Sequence, residues 1–373
     1  MTLASPASVL VVVTRQIGDV LLTTPLIRRA RELWPQARID VLGFEGTLGM
    51  LRGNPDVNEL IGAGKRLGLR GGWRLARRLW RRYDLALVAE ASDRAHLIGW
   101  LAAPRRHGLL RRGHGSNWWK RLALAHVVES DGDTGEVHVV DEKLKLLDAW
   151  GRPSSTQAVA PPPTPLPAEV AAQVRPGAVV MHVPSMWPYK QWGPEKFRAV
   201  AAELLARGHQ VVLTGTAGAR DQECIAPLRD LAPAPQLLDV SGRLALDQVG
   251  TLLAGAALYI GPDTSVSHLA AAVGVPTLVV FGPTNPQRWA PWPASGEAPV
   301  HFQRRAPVQA VGNVTIVQAT LPCVPCSRAG CEDHVGSRSD CLLQIGPQEV
   351  LSHALALLAA RAQPACGTEL HPH

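Results

Sequence analysis

The stretch from Leu258 to Pro286, LYIGPDTSVSHLAAAVGVPTLVVFGPTNP, sets two short apolar runs around a loop carrying an acid, hydroxyls and a histidine. Leu258–Ile260 and Thr277–Phe281 are apolar and partly β-branched, as buried parallel strands are. Between them Ser265 to Val273 reads as a short helix, with Gly274 as its stop. Asp263, Thr264 and Ser265 then fall where a strand ends and a helix begins. In an open α/β sheet that carboxyl edge is where ligands bind, and the free N–H groups of the helix favour a phosphate. A competing reading has Asp263 or Thr264 simply capping the helix.

The same alternation runs through the chain. Val9–Val13 reads as a strand, GDVLLTTPLIRRARELW as a helix, and Arg38–Leu42 and Leu85–Ala89 as further strands. Later, AVVMHV and QVVLTG join LYIG and TLVVFG as strands, with helices near 194–207, 218–231 and 246–256. Between the halves, RPSSTQAVAPPPTPLP is rich in Pro, Ser and Thr without an amphipathic period and reads as an extended linker. The expected architecture is two doubly wound parallel sheets facing a central cleft. Its expected bounds are an N-terminal domain at 1–150, a linker region at 151–177, a C-terminal domain at 178–345, and a terminal helix and tail at 346–373. No GxGxxG follows the first strand and no GxxxxGK[ST] occurs, which argues against a nicotinamide or flavin enzyme and leaves ATPase chemistry without a seat. GTAGA after QVVLTG shows only that backbone can approach something closely.

At 373 residues there is room for two full cores. No apolar run approaches the roughly 20 residues of a membrane span, and VLVVV is too short for the core of a signal peptide. The chain is expected in the cytosol, its six cysteines as thiols or metal ligands rather than disulfides. Residues 1–150 carry 23 Lys and Arg against 16 Asp and Glu, whereas residues 151–373 carry 15 of each, so the whole excess of +7 lies in the first half. Part of it is WRLARRLWRRY, where Arg74, Arg77, Arg78, Arg81 and Arg82 recur at helical spacing opposite an apolar face. This is either a solvated helix face or a surface for a phosphorylated or membrane-borne anion. Nucleic acid is not expected, since no recognisable motif for it accompanies the charge.

Four stretches in order, RQIGDVLLTTPLIRRARELWP, HVPSMWPYKQWGPEKF, VVLTGTAGARDQE and GPDTSVSHLAAAVGVPTLVVFGPTNPQRWAPW, resemble the bacterial ADP-heptose:lipopolysaccharide heptosyltransferases, glycosyltransferase family 9. The resemblance runs from Arg15 to about Trp292. It implies a GT-B fold, acceptor in the N-terminal half, nucleotide-sugar in the C-terminal half, and inversion at the anomeric carbon with no cofactor required for the chemistry. The implied partners are ADP-heptose and the phosphorylated lipid A-core at the inner membrane. Sugar transfer needs a base for the acceptor hydroxyl and positive charge or aligned N–H groups for the departing diphosphate. Asp19, after Gly18 at the turn following the first strand, matches the family's catalytic aspartate; a helix N-cap is the alternative. Lys190 matches a lysine that contacts the donor, and Ser185 in the same loop is a phosphate hydrogen-bond donor. Asp263 matches the family's DT pair on the sugar hydroxyls. Thr264, Ser265 and Val266 offer N–H groups to the diphosphate, and His268 matches the family histidine or is a structural histidine. Leu244 aligns with an apolar residue flanking the adenine; for the adenosine-side acid, Asp221 and Glu223 both qualify. The alternatives to lipopolysaccharide synthesis are a protein O-heptosyltransferase acting on an autotransporter, an epimerase on the same scaffold, and a non-catalytic sugar-nucleotide-binding protein.

CVPCSRAGCEDHVGSRSDC brings Cys323, Cys326, Cys331 and Cys341 within one short segment. CxxC followed closely by two more cysteines has metal-site spacing suited to a structural Zn or Fe, with four reduced thiols as the other reading. The family resemblance implies iron for some relatives with such clusters. GPQEVLSHALALLAARA reads as a terminal helix, followed by a tail from Gln363 expected to be disordered.

Overall fold

The computed structural model describes residues 5–296 and 302–362, apart from Leu67, Ser116, Arg152 and Ser154. Cys366 and the tail expected to be disordered lie outside the described residues. The first sheet is built of β1 (Ser8–Val13), β2 (Arg38–Phe44), β3 (Glu59–Ala63), β4 (Leu85–Val88), β5 (Arg105–Arg111) and β6 (His126–Ser130), all parallel in the order β3-β2-β1-β4-β5-β6. The second contains β7 (Val179–His182), β8 (Val211–Thr214), β9 (Leu237–Asp239), β10 (Leu258–Pro262), β11 (Thr277–Phe281), β12 (Val308–Val311) and β13 (Val314–Gln318), in the order β12-β13-β11-β10-β7-β8-β9. Only β12 there is antiparallel, at the edge. Leaving it out, the two sheets repeat one winding. The order reverses between β1 and β4 in one and between β7 and β10 in the other, which makes those gaps the natural ligand crevices. Val9 to Val13 and Leu258 to Ile260 are completely buried, as strands covered on both faces must be.

In the first half the helices are α1 (Ile17–Leu21), α2 (Thr24–Leu33), α3 (Leu69–Leu79), α4 (Asp93–Ala102), α5 (Asn117–Ala123) and α6 (Val139–Leu144). After the linker come α7 (Ala168–Ala171), α8 (Pro194–Ala206), α9 (Ala219–Ile225), α10 (Leu246–Ala254), α11 (Ser265–Val273), α12 (Pro286–Trp289), α13 (Asp340–Gln344) and α14 (Pro347–Ala362). No helix among the described residues is long and apolar enough to cross a membrane. The terminal helix packs back on the second sheet through Val350, Ala354 and Leu358.

Three segments read as continuous helices are interrupted, each for a local reason. The helix expected over GDVLLTTPLIRRARELW is two, α1 and α2. Pro25 has no N–H for the Leu21 carbonyl and its ring would collide with it; the Thr24 hydroxyl donates to that carbonyl instead, at 2.7 Å. The basic helix stops at Leu79, with Arg81 at φ 49°. There the chain is drawn onto the end of α4, where Arg81 N and Tyr83 N donate to the carbonyls of Leu101 and Ala102. Arg81 and Arg82 therefore leave the helical face. The helix expected to 231 ends at Ile225 and passes into a 3-10 turn over Ala226–Leu228, which contains Pro227.

The two sheets are tied through α12. Arg288 donates to both oxygens of Glu142 at 3.1 and 2.8 Å, and to the Ser130 hydroxyl at 3.1 Å, all three side chains being buried. His138 and the Ala290 carbonyl are 2.9 Å apart, and the Trp289 indole donates to Asp133 at 3.2 Å. The proline-rich segment, coil in its described residues up to Pro167, is pinned to both halves: Val159 N donates to the Thr24 hydroxyl and Thr164 N to the Thr251 hydroxyl.

Candidate active site

Both order reversals open onto one cleft of about 770 Å³, lined by residues that follow β1, β7 and β10. On the β1 side is Asp19, third residue of α1. It is not the N-cap; Gln16 holds that position and makes no side-chain cap bond. The Asp19 carboxylate is buried and accepts from Arg15 Nε at 3.0 Å. Beneath it, α6 contributes Lys143, whose Nζ donates to the Asp19 carbonyl at 2.9 Å and to the Thr23 hydroxyl at 2.8 Å, holding the α1–α2 junction. Burial pushes Lys143 down to about 8, against the opposing pull of the Asp19 charge. Its folded value lies below the ordinary 10.5, so the unfolded chain binds more protons between the two. This group's contribution should therefore make stability rise as pH increases from about 8 to about 10.5, and be flat below. Melting temperature against pH should lose that rise in Lys143→Met; an identical profile would show that Lys143 does not titrate in this window.

On the facing side, a single 3-10 turn after β7 carries Lys190, whose Nζ donates to Asp263 Oδ2 at 2.6 Å. Burial pulls the Lys190 ammonium down, but the Asp263 charge and hydrogen bond win and its pKa is raised. Burial likewise pushes Asp263 up, and the Lys190 charge outweighs it, so Asp263 stays below the ordinary carboxylate value. Both groups are charged at neutral pH. Ser185 is buried at the root of the same loop and also lines the cleft.

Thr264 is the N-cap of α11, extended at φ −143° and ψ 171°, and its side chain makes no cap bond. Neither capping reading of the DTS sequence therefore describes this turn: Asp263 is committed to Lys190, and the N–H groups at the start of α11 have no side-chain cap. The turn is braced from below, where the Ser267 hydroxyl donates to the Pro262 carbonyl and lies 2.9 Å from the Tyr259 hydroxyl. Thr264, Ser265, Val266 and His268 all line the cleft. Burial pushes the His268 imidazole down to about 4, so it is neutral, and its buried Nδ1 has no hydrogen-bond partner among the described residues. A Cβ on Gly18 would sit 3.0 Å from the His268 ring, so glycine there permits the close packing of α1 on α11 that brings Asp19 across from the DTS turn.

Asp19, Ser185, Lys190, Asp263, Thr264, Ser265, Val266 and His268 thus share one cleft. Leu244 does not: it packs against the core, and Leu246 lines the cleft instead. Of the two acids considered after QVVLTG, Asp221 lines the cleft, accepting from both Thr216 N and the Thr216 hydroxyl; Glu223 does not. Sequence reasoning missed Arg15, Lys143, Asp133, His182, Trp289 and Arg328. Arg15 stood inside the quoted first motif and Arg328 inside the cysteine segment, both noted for other residues. Asp133 and Lys143 had no motif around them.

The four cysteines fall at the flank of this cleft. Cys341 is built into the core of the second half, and its thiol is pushed up to about 12, by burial first and then by the sulfurs of Cys326, Cys331 and Cys323. Cys331 Sγ accepts from Asp340 N at 3.3 Å. The donor chemistry suits Zn or Fe, yet among the described residues no group of three or more His, Cys, Asp or Glu is arranged to hold a metal. The cluster is not an assembled site.

The model of "Glycosyltransferase family 9 (heptosyltransferase)" matches residues 72–310. The chain belongs to this family. It is a glycosyltransferase, and the heptosyltransferase from Escherichia coli K12 named lipopolysaccharide heptosyltransferase 3 is 30% identical over 300 residues, covering 74% of this chain and 83% of that one. In three dimensions the family member is similar to E. coli ADP-heptose lps heptosyltransferase II, with a TM-score of 0.70 at 22% identity, over 95% of this chain and 100% of the other. A dodecameric iron-containing heptosyltransferase solved with ADP-D-β-D-heptose shares the fold at a TM-score of 0.57 and 15% identity, over 96% and 78% of the two chains. These likenesses agree with the GT-B architecture of two facing parallel sheets.

Proposed function

We propose that this heptosyltransferase moves heptose from ADP-heptose to the inner core of lipopolysaccharide, with inversion at the anomeric carbon. One observation carries the reading: a buried carboxylate, a lysine–aspartate pair and the uncapped start of α11 converge on a single cleft from two opposed sheets. Asp19 takes the proton of the acceptor hydroxyl as its oxygen bonds to the anomeric carbon. The bond from that carbon to the diphosphate breaks, and ADP leaves with the electron pair. Lys190 and the N–H groups of Ser265 and Val266 meet the growing negative charge. Asp263 keeps Lys190 in position and accepts from sugar hydroxyls. The residues supply a base, a cation and aligned N–H groups, so no step calls on a metal. In this reading the first half (1–150) takes the acceptor, the second (178–345) takes the donor, and the enzyme works at the cytoplasmic face of the inner membrane. Deleting the gene should remove one heptose from the inner core, seen by mass spectrometry of the surface glycans, and complementation should restore it. An intact core, with heptose missing from a surface protein instead, would move the acceptor to the autotransporter class.

The same reading includes a structural Zn or Fe on Cys323, Cys326, Cys331 and Cys341, supported by their spacing and by thiolate donor chemistry. Binding would draw Cys323, Cys326 and Cys331 to Cys341, which the core already holds, and stabilise the loop between them. Protein purified without chelator should carry about one equivalent of metal, as four thiolates complete a tetrahedron, and Cys326→Ser should lose metal and thermal stability together. Metal near zero, with four titratable thiols, would leave the reduced-cysteine reading.

A further inference from the structure

Eleven large apolar side chains are exposed among the described residues, and seven of them lie on or beside α3, α4 and α5: Leu69, Trp73, Trp80, Leu97, Trp100, Trp118 and Leu122. They are not scattered singly. The rings of Trp80 and Trp100 meet edge to face at 6.4 Å, and Leu97, Trp100 and Leu122 line one shallow apolar depression together with Trp119. Trp73 is 63% exposed and Trp118 68%, and grouped exposed apolar side chains of this size mark an interaction surface.

Cations are threaded through the same face. Residues 60–83 hold eight Lys and Arg and no acid, and residues 94–128 hold seven and no acid. In the second stretch Lys120 is buried on Asp93, and Arg112 and Arg121 pair with Glu129, so the free charge lies mainly on α3. Arg70, Arg74, Arg77, Arg81 and Arg82 are exposed and have no carboxylate within ion-pair distance among the described residues. Two of them lie over the exposed indoles: Arg77 over Trp73 at 5.6 Å and Arg81 over Trp80 at 5.9 Å. Indoles with guanidinium groups alongside match the boundary of an anionic bilayer, where the rings enter the headgroup layer and the charges meet phosphate. A second copy of the chain is a poor match, because the two faces would bring like charges together.

We infer that the outer face of α3, α4 and α5 docks the enzyme on an anionic phospholipid surface. It rests on the membrane-borne acceptor proposed above. Helices α3 and α5 begin at the carboxyl edge of the first sheet, the edge that carries the cleft, so docking there keeps the acceptor side of the cleft beside the bilayer.

The test is cosedimentation of the full chain with vesicles of phosphatidylethanolamine and phosphatidylglycerol, against vesicles of phosphatidylcholine alone. Binding should be strong only to the first and fall with salt. Arg74→Gln with Arg77→Gln should weaken it about 30-fold, two basic groups each contributing about fivefold. Trp73→Ser with Trp118→Ser should weaken it as well, and quenching of tryptophan fluorescence by brominated lipid should fall, leaving only what Trp80 and Trp100 contribute. Transfer to a delipidated core oligosaccharide is measured in parallel and should be unchanged in both double variants. Loss of that transfer in the wild type would count against the proposed function and leave the vesicle result standing. Equal binding to neutral vesicles, or binding indifferent to both double variants, would overturn the membrane assignment. So would a dimer in sedimentation velocity that the same variants dissolve, which would give the face to a second copy.

Discussion

Asp19→Asn should lower kcat by about 10²–10⁴-fold, the range expected for losing a general base, with little change in the Kd for ADP. The substitution keeps the shape of the side chain and the Lys143 contact, which is made to the Asp19 carbonyl. It removes only the negative oxygen that faces Arg15 and the cleft. Because Asp19 is third in α1 rather than its cap, stability should change by no more than about 1 kcal/mol, the range for a charge in a helix's first turn. Single-turnover rates and calorimetric ADP binding on one preparation separate the two effects. Near-normal turnover would remove Asp19 from the chemistry and pass the role to another group in the cleft.

Lys190→Ala is expected to be the second severe lesion, and for two reasons. It takes away the cation facing the departing diphosphate, worth about 10²–10³-fold in kcat by analogy with other preorganised charge stabilisers. It also leaves Asp263 buried and unpaired, which costs about 3 kcal/mol, the lower end for a broken buried pair because the Lys190 side chain is 22% exposed. Lys190→Ala with Asp263→Ala should recover much of that stability but none of the rate. A thermal melt and a rate measured on both variants distinguish a donor-binding lysine from a purely structural one: recovery of rate in the double variant would make the pair structural.

What could be read from the residues alone was what local chemistry dictates. The strand-turn-helix at 258–273 was legible because apolar runs, a polar turn and Gly274 follow in sequence, and the glycine does take a left-handed conformation at φ 86°. Asp19 in the GDVLLTTP motif was pointed to by the resemblance to the heptosyltransferases and not by local chemistry, and the Thr24-Pro25 break inside the motif was hidden by its helical period. The end of α3 was not legible, since it depends on α4 drawing in Arg81 from elsewhere in the chain. Nor were the contacts that assemble the cleft: Lys143 reaches Asp19 across 124 residues and Arg288 reaches Glu142 across 146. Leu244 and Leu246 differ by two positions at the start of α10, and only packing decides which of them faces the cleft.

Heptosyl transfer in one cleft is measured most directly by incubating the purified full chain with ADP-heptose and the truncated lipopolysaccharide of the deletion strain, then weighing the lipid by mass spectrometry. The expected product is the acceptor plus one heptose with one ADP released, formed by the wild type, almost absent with Asp19→Asn, and absent when UDP-glucose replaces the donor. An unmodified acceptor with the wild type, under conditions where ADP-heptose demonstrably binds, would contradict transfer as the function of this site.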